Sequence, residues 1–353
     1  MPYKISEVSV EGFTSIRAAT LTLGDVTVLV GANGAGKSNV VGVLELLGRM
    51  ADSELGLAVG LRGGAQALQY VGPRAEEGIR LRVTADPHCY EAHLVPAAND
   101  SLIFAEEKWG RPPEGLARGH KESQLPGPMR SVLGGCRVFH FHDTSVNAPV
   151  KTLGFTADNE ALRPDARNLA AFLLRLREGE PKTYRRIVRA VQTVAPFFRD
   201  FLLAEEPGGK IRLRWMQQGV DAIFPAEALS DGTLRYICLC ALLLQPDPPA
   251  LLTLDEPELG LHPHAVVQLA DLLRSAAVRS QVVIATQSVT LLNQFSLDDL
   301  VVAEREDGGT ALRRPDRETL REWLEEYSLG ELWEKNVLGG RPAPELPSRG
   351  QSA

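Results

Sequence analysis

The chain has 353 residues, a formal net charge of −7, 44% hydrophobic and 24% charged residues. This composition is typical of a folded protein and excludes a mainly disordered one, and the length allows two or three domains. The acidic balance gives no general attraction to nucleic acid, so such binding needs a local basic patch. The longest apolar run, Tyr236 to Leu244, is too short to cross a bilayer, and the first ten residues lack the apolar core of a signal peptide.

The four cysteines match neither a disulfide framework nor a zinc motif. This pattern predicts reduced thiols in a cytoplasmic protein without a membrane association. Along residues 1–145 the pattern predicts short strands, the first at Lys4–Val10 and a buried one at Val26–Val30, and then a helix with Val40 and Leu47 on one face. A small β-subdomain follows, with predicted strands at Ile79–Val83, Cys89–Leu94, Leu102–Ala105 and Arg137–Phe141.

Residues 146–210 are predicted to form a helical insertion. Apolar residues recur at helical spacing from Leu169 and again from Ile187, and Gly179 and Pro181 break the pattern into two helices. The stretch Arg163–Arg189 carries eight Lys or Arg against three acids. Two interpretations stay open: a surface for a DNA phosphate backbone, or an ordinary solvated helix face. The basic residues that would form the DNA-binding surface are Arg163, Arg167, Lys182, Arg185, Arg186 and Arg189.

Residues 211–340 are predicted to form a C-terminal lobe of alternating helices and strands, and 341–353 a disordered tail. A helix with Leu320, Trp323, Leu324 and Tyr327 on one face is expected before the tail. The alternation predicts an α/β fold with a mainly parallel core sheet flanked by helices, an antiparallel β-subdomain and a helical insertion. The predicted elements of this lobe are a helix at Leu234–Leu244, a strand at Leu251–Leu254, a helix at Ala265–Ala277 and a strand at Val282–Thr286.

The segment from Gly31 to Ser38 reads G-x-x-x-x-G-K-S between a predicted strand and helix. The glycines let the backbone wrap around phosphates, the Lys37 side chain would reach the β- and γ-phosphates of ATP, and Ser38 would ligate Mg²⁺. The strand–loop–helix context disfavours a chance glycine turn. The predicted nucleotide contacts are Gly31, Ala32, Asn33, Gly34, Ala35, Gly36, Lys37, Ser38 and Asn39.

A second candidate site is the end of the predicted strand at 251–254, where Asp255 and Glu256 follow. Asp255 suits a Mg²⁺-organising acid and Glu256 a general base that polarises the attacking water. A solvated acidic strand end is the alternative for this pair alone. The third candidate site consists of Ser230 and Gly232, at the start of the helix that precedes the predicted strand at 251–254. They form either a second anion-binding helix terminus or an ordinary N-cap.

The order of these motifs resembles the ATP-binding cassette ATPases, and within them the RecF/SMC/OLD branch. Five runs resemble a family of bacterial predicted AAA/ABC-type ATPases over nearly the whole chain. The resemblance implies a head-to-tail homodimer that sandwiches two ATP molecules, with Ser230 and Gly232 of one subunit facing the phosphate loop of the other. The runs begin at Phe139 (FHFHDTS), Asn168 (NLAAFL), Leu229 (LSDGTLR), Asp255 (DEPELGLHP) and Ala285 (ATQS).

The chain departs from the family pattern in several places. The switch position usually carries His, whereas Gln287 stands here, which can orient water but cannot take a proton at neutral pH. His142 and Asp143 occupy the place of the loop Gln of cassette ATPases, or merely shape a turn. His262 either contacts a partner subunit or is an ordinary surface side chain. The sequence shows neither a coiled-coil arm nor the acidic cluster of a nuclease domain.

Three functions compete at this point. The first is an ATPase whose ATP-driven dimerisation drives a switch in DNA transactions or phage defence, with Glu256, Gln287 and Lys37 as catalytic residues. The second is a nearly inactive ATP-bound module that gates a separate effector such as a nuclease. The third, a transporter ATPase subunit, is disfavoured by the β-insert and by the absence of the usual switch His.

Overall fold

The structure is a computed structural model that describes residues 4–72 and 78–340. The chain divides into two compact units, Met1–Cys136 with Ser296–Ala353, and Arg137–Phe295. The predicted disordered tail at 341–353 lies outside the described residues. The predicted boundaries after residues 145 and 210 stay predictions.

The helices and strands follow in chain order. The first unit begins with β1 (Glu7–Phe13), β2 (Ile16–Thr22), β3 (Val26–Val30), α1 (Lys37–Ala51), α2 (Leu55–Leu61), α3 (Ala65–Leu68), β4 (Ile79–Ala85), β5 (His88–Ala97), β6 (Ser101–Gly110), β7 (Pro113–Ala117) and α4 (Gly127–Gly134). Next come β8 (Cys136–Phe139), β9 (Gly154–Phe155), α5 (Leu169–Gly179), α6 (Pro181–Val194), β10 (Phe198–Phe201), β11 (Lys210–Ile211), β12 (Arg214–Gln217), β13 (Ile223–Pro225), α7 (Asp231–Leu244), β14 (Leu251–Asp255), α8 (Pro263–Ala277), β15 (Gln281–Thr286) and α9 (Val289–Leu292). The chain then returns to the first unit with β16 (Leu300–Glu306), β17 (Gly309–Arg313), α10 (Arg321–Glu326) and α11 (Leu329–Glu334).

The first unit contains an antiparallel sheet in the strand order β2-β1-β4-β5-β6-β7. Val8 lies opposite Leu21 on one side and Val83 on the other, and all three side chains are buried. Alternating apolar residues in β1 and β4 therefore form one face of this sheet. Its strands β4, β5 and β6 are three of the four predicted for the antiparallel β-subdomain, and β1, β2 and β7 extend them. The prediction for the fourth strand, Arg137–Phe141, was wrong, because that segment forms β8, which lies beside β14 in a different sheet.

A parallel pair of strands positions the glycine-rich loop of the first unit. β16 runs parallel to β3 with Val28 opposite Leu300 and Val30 opposite Val302, and β17 pairs antiparallel with β16. Val28, Leu29 and Val30 are buried, as a continuous apolar run in a parallel strand should be. The carboxyl end of β3 therefore leads into the loop from a rigid support.

The second unit is built around β15, β14 and β8, in that order, with β14 and β15 parallel. Leu254 is opposite Ile284, and Asp255 is opposite Ala285. α7 is buried from Leu234 to Leu244 and packs against both α6 and α8. The predicted helix pair is confirmed, because α5 ends at Gly179 and α6 begins at Pro181.

Two predictions about single elements need correction. The first strand begins at Glu7 rather than Lys4. The predicted tail helix is two short helices, because Tyr327 adopts extended backbone and Ser328 caps α11 in a capping box with Glu331. Trp323 is 44% exposed, so the predicted apolar face of that helix is not a core face. No helix in the described part of the chain combines the length and hydropathy that a membrane span needs.

Candidate functional site

Glycines shape the loop that follows β3. A Cβ on Gly31 would collide with the carbonyl oxygen of Ala303 in β16, so this position excludes a side chain. Gly34 and Gly36 have φ values of +79° and +99°, which favour glycine. A Cβ on Gly36 would also collide with the Thr310 side chain of β17. The loop backbone thus packs directly on β16 and β17, and its glycine conformations are those with which a backbone can wrap around a phosphate group.

Lys37 follows this loop as the first residue of α1. Its side chain is only 6% exposed, and Nζ donates hydrogen bonds to the carbonyl oxygens of Gly31 (2.7 Å) and Ala32 (3.1 Å). A buried ammonium group that donates to neutral carbonyls can gain energy by moving onto an anion. The loop and the start of α1 together form a candidate anion site that includes the Lys37 cation.

A polar network that the sequence analysis missed connects the start of α1 to the β1–β2 turn and to β17. Asn39 Nδ2 donates to Ser15 Oγ at 2.6 Å, and Ser15 Oγ lies 2.7 Å from Thr310 Oγ1. The Thr310 amide also donates to the Ser15 carbonyl at 2.8 Å. Ser15 sits in the tight turn between β1 and β2, where Thr14 has a φ of +49°. The predicted contact Asn39 is therefore tied to two distant segments through its side chain.

The turn after β14 carries the predicted catalytic carboxylates. Glu256 has a φ of +43°, which is strained for a residue other than glycine, and its amide donates to the Ala285 carbonyl at 2.8 Å. Gln287 Nε2 donates to Glu256 Oε1 at 2.6 Å. The structure therefore brings Glu256 and Gln287 together at the carboxyl ends of two parallel strands. In open parallel sheets this edge is the usual place for ligands.

A third carboxylate, Glu258, lies in the same turn and was not selected from the sequence. Thr286 donates its hydroxyl proton to Glu258 Oε1, and the Ser288 amide donates to Thr286 Oγ1 at 3.0 Å. Within the described ranges, Glu258 Oε2 is buried without a hydrogen-bond partner. Burial raises the pKa of Glu258 above its ordinary value. The only sequence signal was the acid's position two residues after Glu256.

The segment after β8 reaches the base of the acidic turn. His142 Nε2 donates to the Asp255 carbonyl oxygen at 2.7 Å, which places this histidine at the predicted metal-organising residue. Asp143 Oδ1 accepts from the Ser145 amide at 3.0 Å, and these hydrogen bonds lower the pKa of Asp143. Asp143 thus shapes a turn, whereas His142 contacts the site.

The start of α7 has the geometry of an N-cap. Ser230 Oγ accepts from the Thr233 amide at 3.2 Å, and Ser230 is exposed. A Cβ on Gly232 would collide with the carbonyl oxygen of Gly260, so glycine is required here by a backbone contact as well.

His262 caps α8, because its Nδ1 accepts from the His264 amide at 3.3 Å. This is a local structural role for an exposed side chain. A contact between His262 and a partner subunit stays a prediction.

The predicted site residues fall into both units. Residues 31–39 belong to the first, and Ser230, Gly232, Asp255, Glu256 and Gln287 belong to the second. The hydroxyl of Ser38 in the first unit and the carboxylate of Asp255 in the second are each an oxygen donor of the kind that Mg²⁺ prefers.

Comparisons with known proteins identify both a family domain and a fold. Residues 139–293 match a family described as "AAA domain, putative AbiEii toxin, Type IV TA system". No curated protein matches the chain in sequence. Among solved structures, an SMC head bound to the C-terminal winged-helix domain of ScpA is similar, with a TM-score of 0.63, 14% identity and coverage of 90% of this chain and 99% of that one.

Two further SMC heads are similar. That of Pyrococcus furiosus, with an extended coiled coil and bound to the C-terminal domain of ScpA, has a TM-score of 0.56 and 15% identity, covering 92% of this chain and 99% of that one. That of Pyrococcus yayanosii, with a coiled coil and joint, has a TM-score of 0.57 and 11% identity at the same coverage.

These comparisons confirm the fold class and the resemblance predicted from the motifs. The chain has the α/β fold of the SMC heads, and residues 139–293 match the AAA domain family.

Proposed function

We propose that the chain binds ATP with Mg²⁺ and hydrolyses it, and that ATP drives a head-to-tail homodimerisation that serves as its conformational switch. The observation that carries this proposal is the loop after β3. Gly31 and Gly36 leave room only for backbone, and Lys37 is buried at the end of the loop. The predicted contacts from Gly31 to Asn39 would hold the phosphates there.

Each residue of the acidic turn has a proposed role in this reaction. Ser38 and Asp255 would hold Mg²⁺, which neutralises phosphate charge when bound. Glu256 would act as the general base toward the attacking water, and Gln287 would orient that water or the γ-phosphate. The short Gln287–Glu256 hydrogen bond supports this pairing, because it shows that the amide can reach the base.

Dimerisation follows from the proposed role of the α7 start. Ser230 is exposed, and the helix behind it is 14 residues long, so its N-terminus offers a positive dipole end to an anion. We propose that this turn meets ATP bound by another subunit. We also propose that residues 1–145 and 211–340 form two lobes and that residues 146–210 form a helical insertion between them.

The alternative proposal is a regulatory module that hydrolyses ATP very slowly and gates a separate effector such as a nuclease. One observation favours it: a Gln287 N–H already donates to Glu256 Oε1, so this N–H is not free to orient the attacking water or contact the γ-phosphate. Turnover measured with and without DNA separates a DNA-dependent ATPase from such a module. The wider role, in DNA transactions or phage defence, is proposed from the resemblance alone.

The test of ATP binding and hydrolysis compares Lys37→Ala and Glu256→Gln with the wild-type chain. Lys37→Ala should abolish ATP binding, measured by calorimetry, whereas Glu256→Gln should bind ATP and lose hydrolysis. Lys335→Ala is a control, because this lysine stacks on Tyr327 in the C-terminal helices. Affinity within a few-fold of wild type in Lys37→Ala would place the nucleotide elsewhere.

A second proposed activity is nucleic-acid binding on α6. Four bases on its exposed side have no carboxylate partner within the described residues, whereas Arg163 pairs with Asp158 at 2.8 Å and Arg167 with Asp165 at 3.7 Å. The basic surface is therefore narrower than the sequence suggested. Side chains three or four residues apart lie on the same side of a helix, so the four basic side chains of α6 can contact one phosphate backbone. The four are Lys182, Arg185, Arg186 and Arg189.

Reversing three of these charges (Arg185→Glu, Arg186→Glu and Arg189→Glu) tests this surface. The triple variant should weaken binding of duplex DNA at least tenfold and reduce the salt dependence by roughly three counterions. Arg163→Glu is the matched control, since that side chain already has an acidic partner. Equal losses in both variants, measured by fluorescence anisotropy, would argue for non-specific charge effects.

A further inference from the structure

Arg235 is a buried cation whose hydrogen bonds all go to backbone carbonyls. It lies on the first turns of α7 and is 5% exposed. Its Nε donates to the Phe141 carbonyl at 2.9 Å, and one terminal nitrogen donates to the His142 carbonyl at 3.1 Å. The other terminal nitrogen donates to the Leu259 carbonyl. Within the described residues Arg235 has no carboxylate partner, and its burial lowers the pKa of the guanidinium.

Each of these carbonyls belongs to a segment with a proposed role. Phe141 and His142 form the segment whose histidine donates to Asp255. Leu259 ends the turn that starts at Glu256, and its amide donates back to the Glu256 carbonyl at 3.1 Å. The Arg235 side chain, on the helix that begins at the Ser230 turn, therefore contacts two segments beside Glu256: residues 141–142 and the end of the acidic turn at Leu259.

A backbone contact reinforces this connection. A Cβ on Gly232 would stand 2.4 Å from the Gly260 carbonyl oxygen, and a Cβ on Gly260 would stand 2.8 Å from an Arg235 terminal nitrogen. A displacement of the α7 start therefore displaces residues 259–260 as well. Since burying an arginine without a counter-charge is costly, an apolar side chain would be the cheaper way to fill this position.

We propose that Arg235 is a positioning residue that transmits anion contact at the Ser230–Gly232 turn to the Glu256 turn. This inference rests on the proposed function, because it uses the roles given there to both turns. Contact at α7 would move the Leu259 and His142 carbonyls together and so set the orientation of Glu256. Arg235 itself touches neither substrate nor metal in this proposal.

The other end of α7 offers a matched control. Arg279 also donates only to backbone carbonyls, those of Leu243, Gln245 and Pro246. Its burial likewise lowers its pKa. Both arginines thus fasten α7 to its surroundings, but Arg279 does so at the end away from Ser230. Arg235→Lys and Arg279→Lys remove comparable sets of hydrogen bonds and keep the charge.

The experiment measures kcat, KM for ATP and thermal unfolding for both lysine variants. We expect Arg235→Lys to lower kcat roughly tenfold or more with KM within about twofold, the scale of one or two lost charged hydrogen bonds. Arg279→Lys should lower the melting temperature by an amount similar to that of Arg235→Lys and keep kcat within about twofold of wild type. Equal kcat in the two variants would overturn the proposal and leave Arg235 a structural fastener.

A readout without hydrolysis separates this inference from the proposed function. In Glu256→Gln, ATP should slow hydrogen exchange both at residues 31–40 and at 256–262. Adding Arg235→Lys should keep the first protection and lose the second. If ATP protects neither region in Glu256→Gln, the proposed function fails and the inference with it. If both regions stay protected in the double variant, only the inference fails.

Discussion

The two turns at the centre of the proposed function are built by opposite means. Each follows a buried parallel strand, one after β3 and the other after β14. The first gets its shape from glycines at positions that exclude a Cβ. The second places Glu256 itself at positive φ and holds it with hydrogen bonds to Ala285 and Gln287. The first turn therefore excludes side chains where β16 and β17 pack against it, whereas the second accepts a side chain in a strained position because hydrogen bonds hold it there.

Gly36→Ala tests whether the glycine loop depends on the absence of a side chain, and it has the largest expected effect. Both its φ of +99° and the Thr310 side chain exclude a Cβ, so we expect ATP affinity to fall at least ~100-fold. Gly34→Ala is the control, because φ is +79° there but nothing lies within 4 Å of a Cβ. Its loss should be about tenfold, the cost of the left-handed backbone alone. Equal losses, measured by calorimetry, would show that close packing on Thr310 is unimportant.

The acidic turn is tested by Glu256→Gln and two Gln287 variants. Glu256→Gln should remove most hydrolysis, because the amide cannot accept a proton, while ATP still binds. Gln287→Ala should lower turnover less, roughly 10- to 100-fold, with little change in ATP affinity. Gln287→His should keep or raise turnover. If Gln287→Ala hydrolyses ATP at the wild-type rate, this glutamine only caps the strand end.

Mixing two defective variants tests whether the turns act across subunits. Ser230→Arg would damage the α7 start but spare the loop, and Lys37→Ala would do the reverse. A heterodimer of the two would contain one intact composite site, so the mixture should be several-fold more active than either variant. No gain on mixing would indicate hydrolysis within a single subunit.

The smallest expected effect concerns Glu258 and the pH dependence of stability. Burial raises the pKa of Glu258 above 4.5, so this group contributes stability at acid pH and loses it as pH rises through the folded-state pKa. Glu258→Gln removes the charged form and can still accept from Thr286. We expect it to raise the free energy of unfolding at pH 7, because the wild-type chain buries a charge there that the amide does not carry.

Urea unfolding from pH 4 to 8 checks this expectation. The gain of Glu258→Gln should shrink toward pH 4, where the wild-type carboxyl is already protonated. The exposed Glu178 in α5 provides the control, and Glu178→Gln should change stability little at any pH. A constant gain across the range would mean that the charge of Glu258 costs nothing.

The locally encoded half of this molecule was predictable from the sequence. The G-x-x-x-x-G-K-S pattern, the helical pair broken at Gly179 and the strands β14 and β15 all appear where the spacing predicted them. These features depend on turn chemistry and periodicity, which are read within a dozen residues.

The contacts that complete both turns were not predictable in this way. Ser15, Thr310 and Arg235 act through partners far away in sequence, and β17, which carries Thr310, was itself missed. Nothing about Arg235 in the run Leu229–Arg235 distinguishes a buried cation from a solvated helix residue. Its role follows from the three carbonyls that meet it, and these come together only in the folded chain.

The packing of Gly31 on Ala303 and of Gly36 on Thr310 also bears on how the protein is made. A ribosome synthesises the glycine loop early and the strands β16 and β17 more than 250 residues later. The nascent chain therefore cannot give this loop its final form until β16 and β17 have been synthesised. Any nucleotide that assists folding would engage only after this strand pair has joined β3.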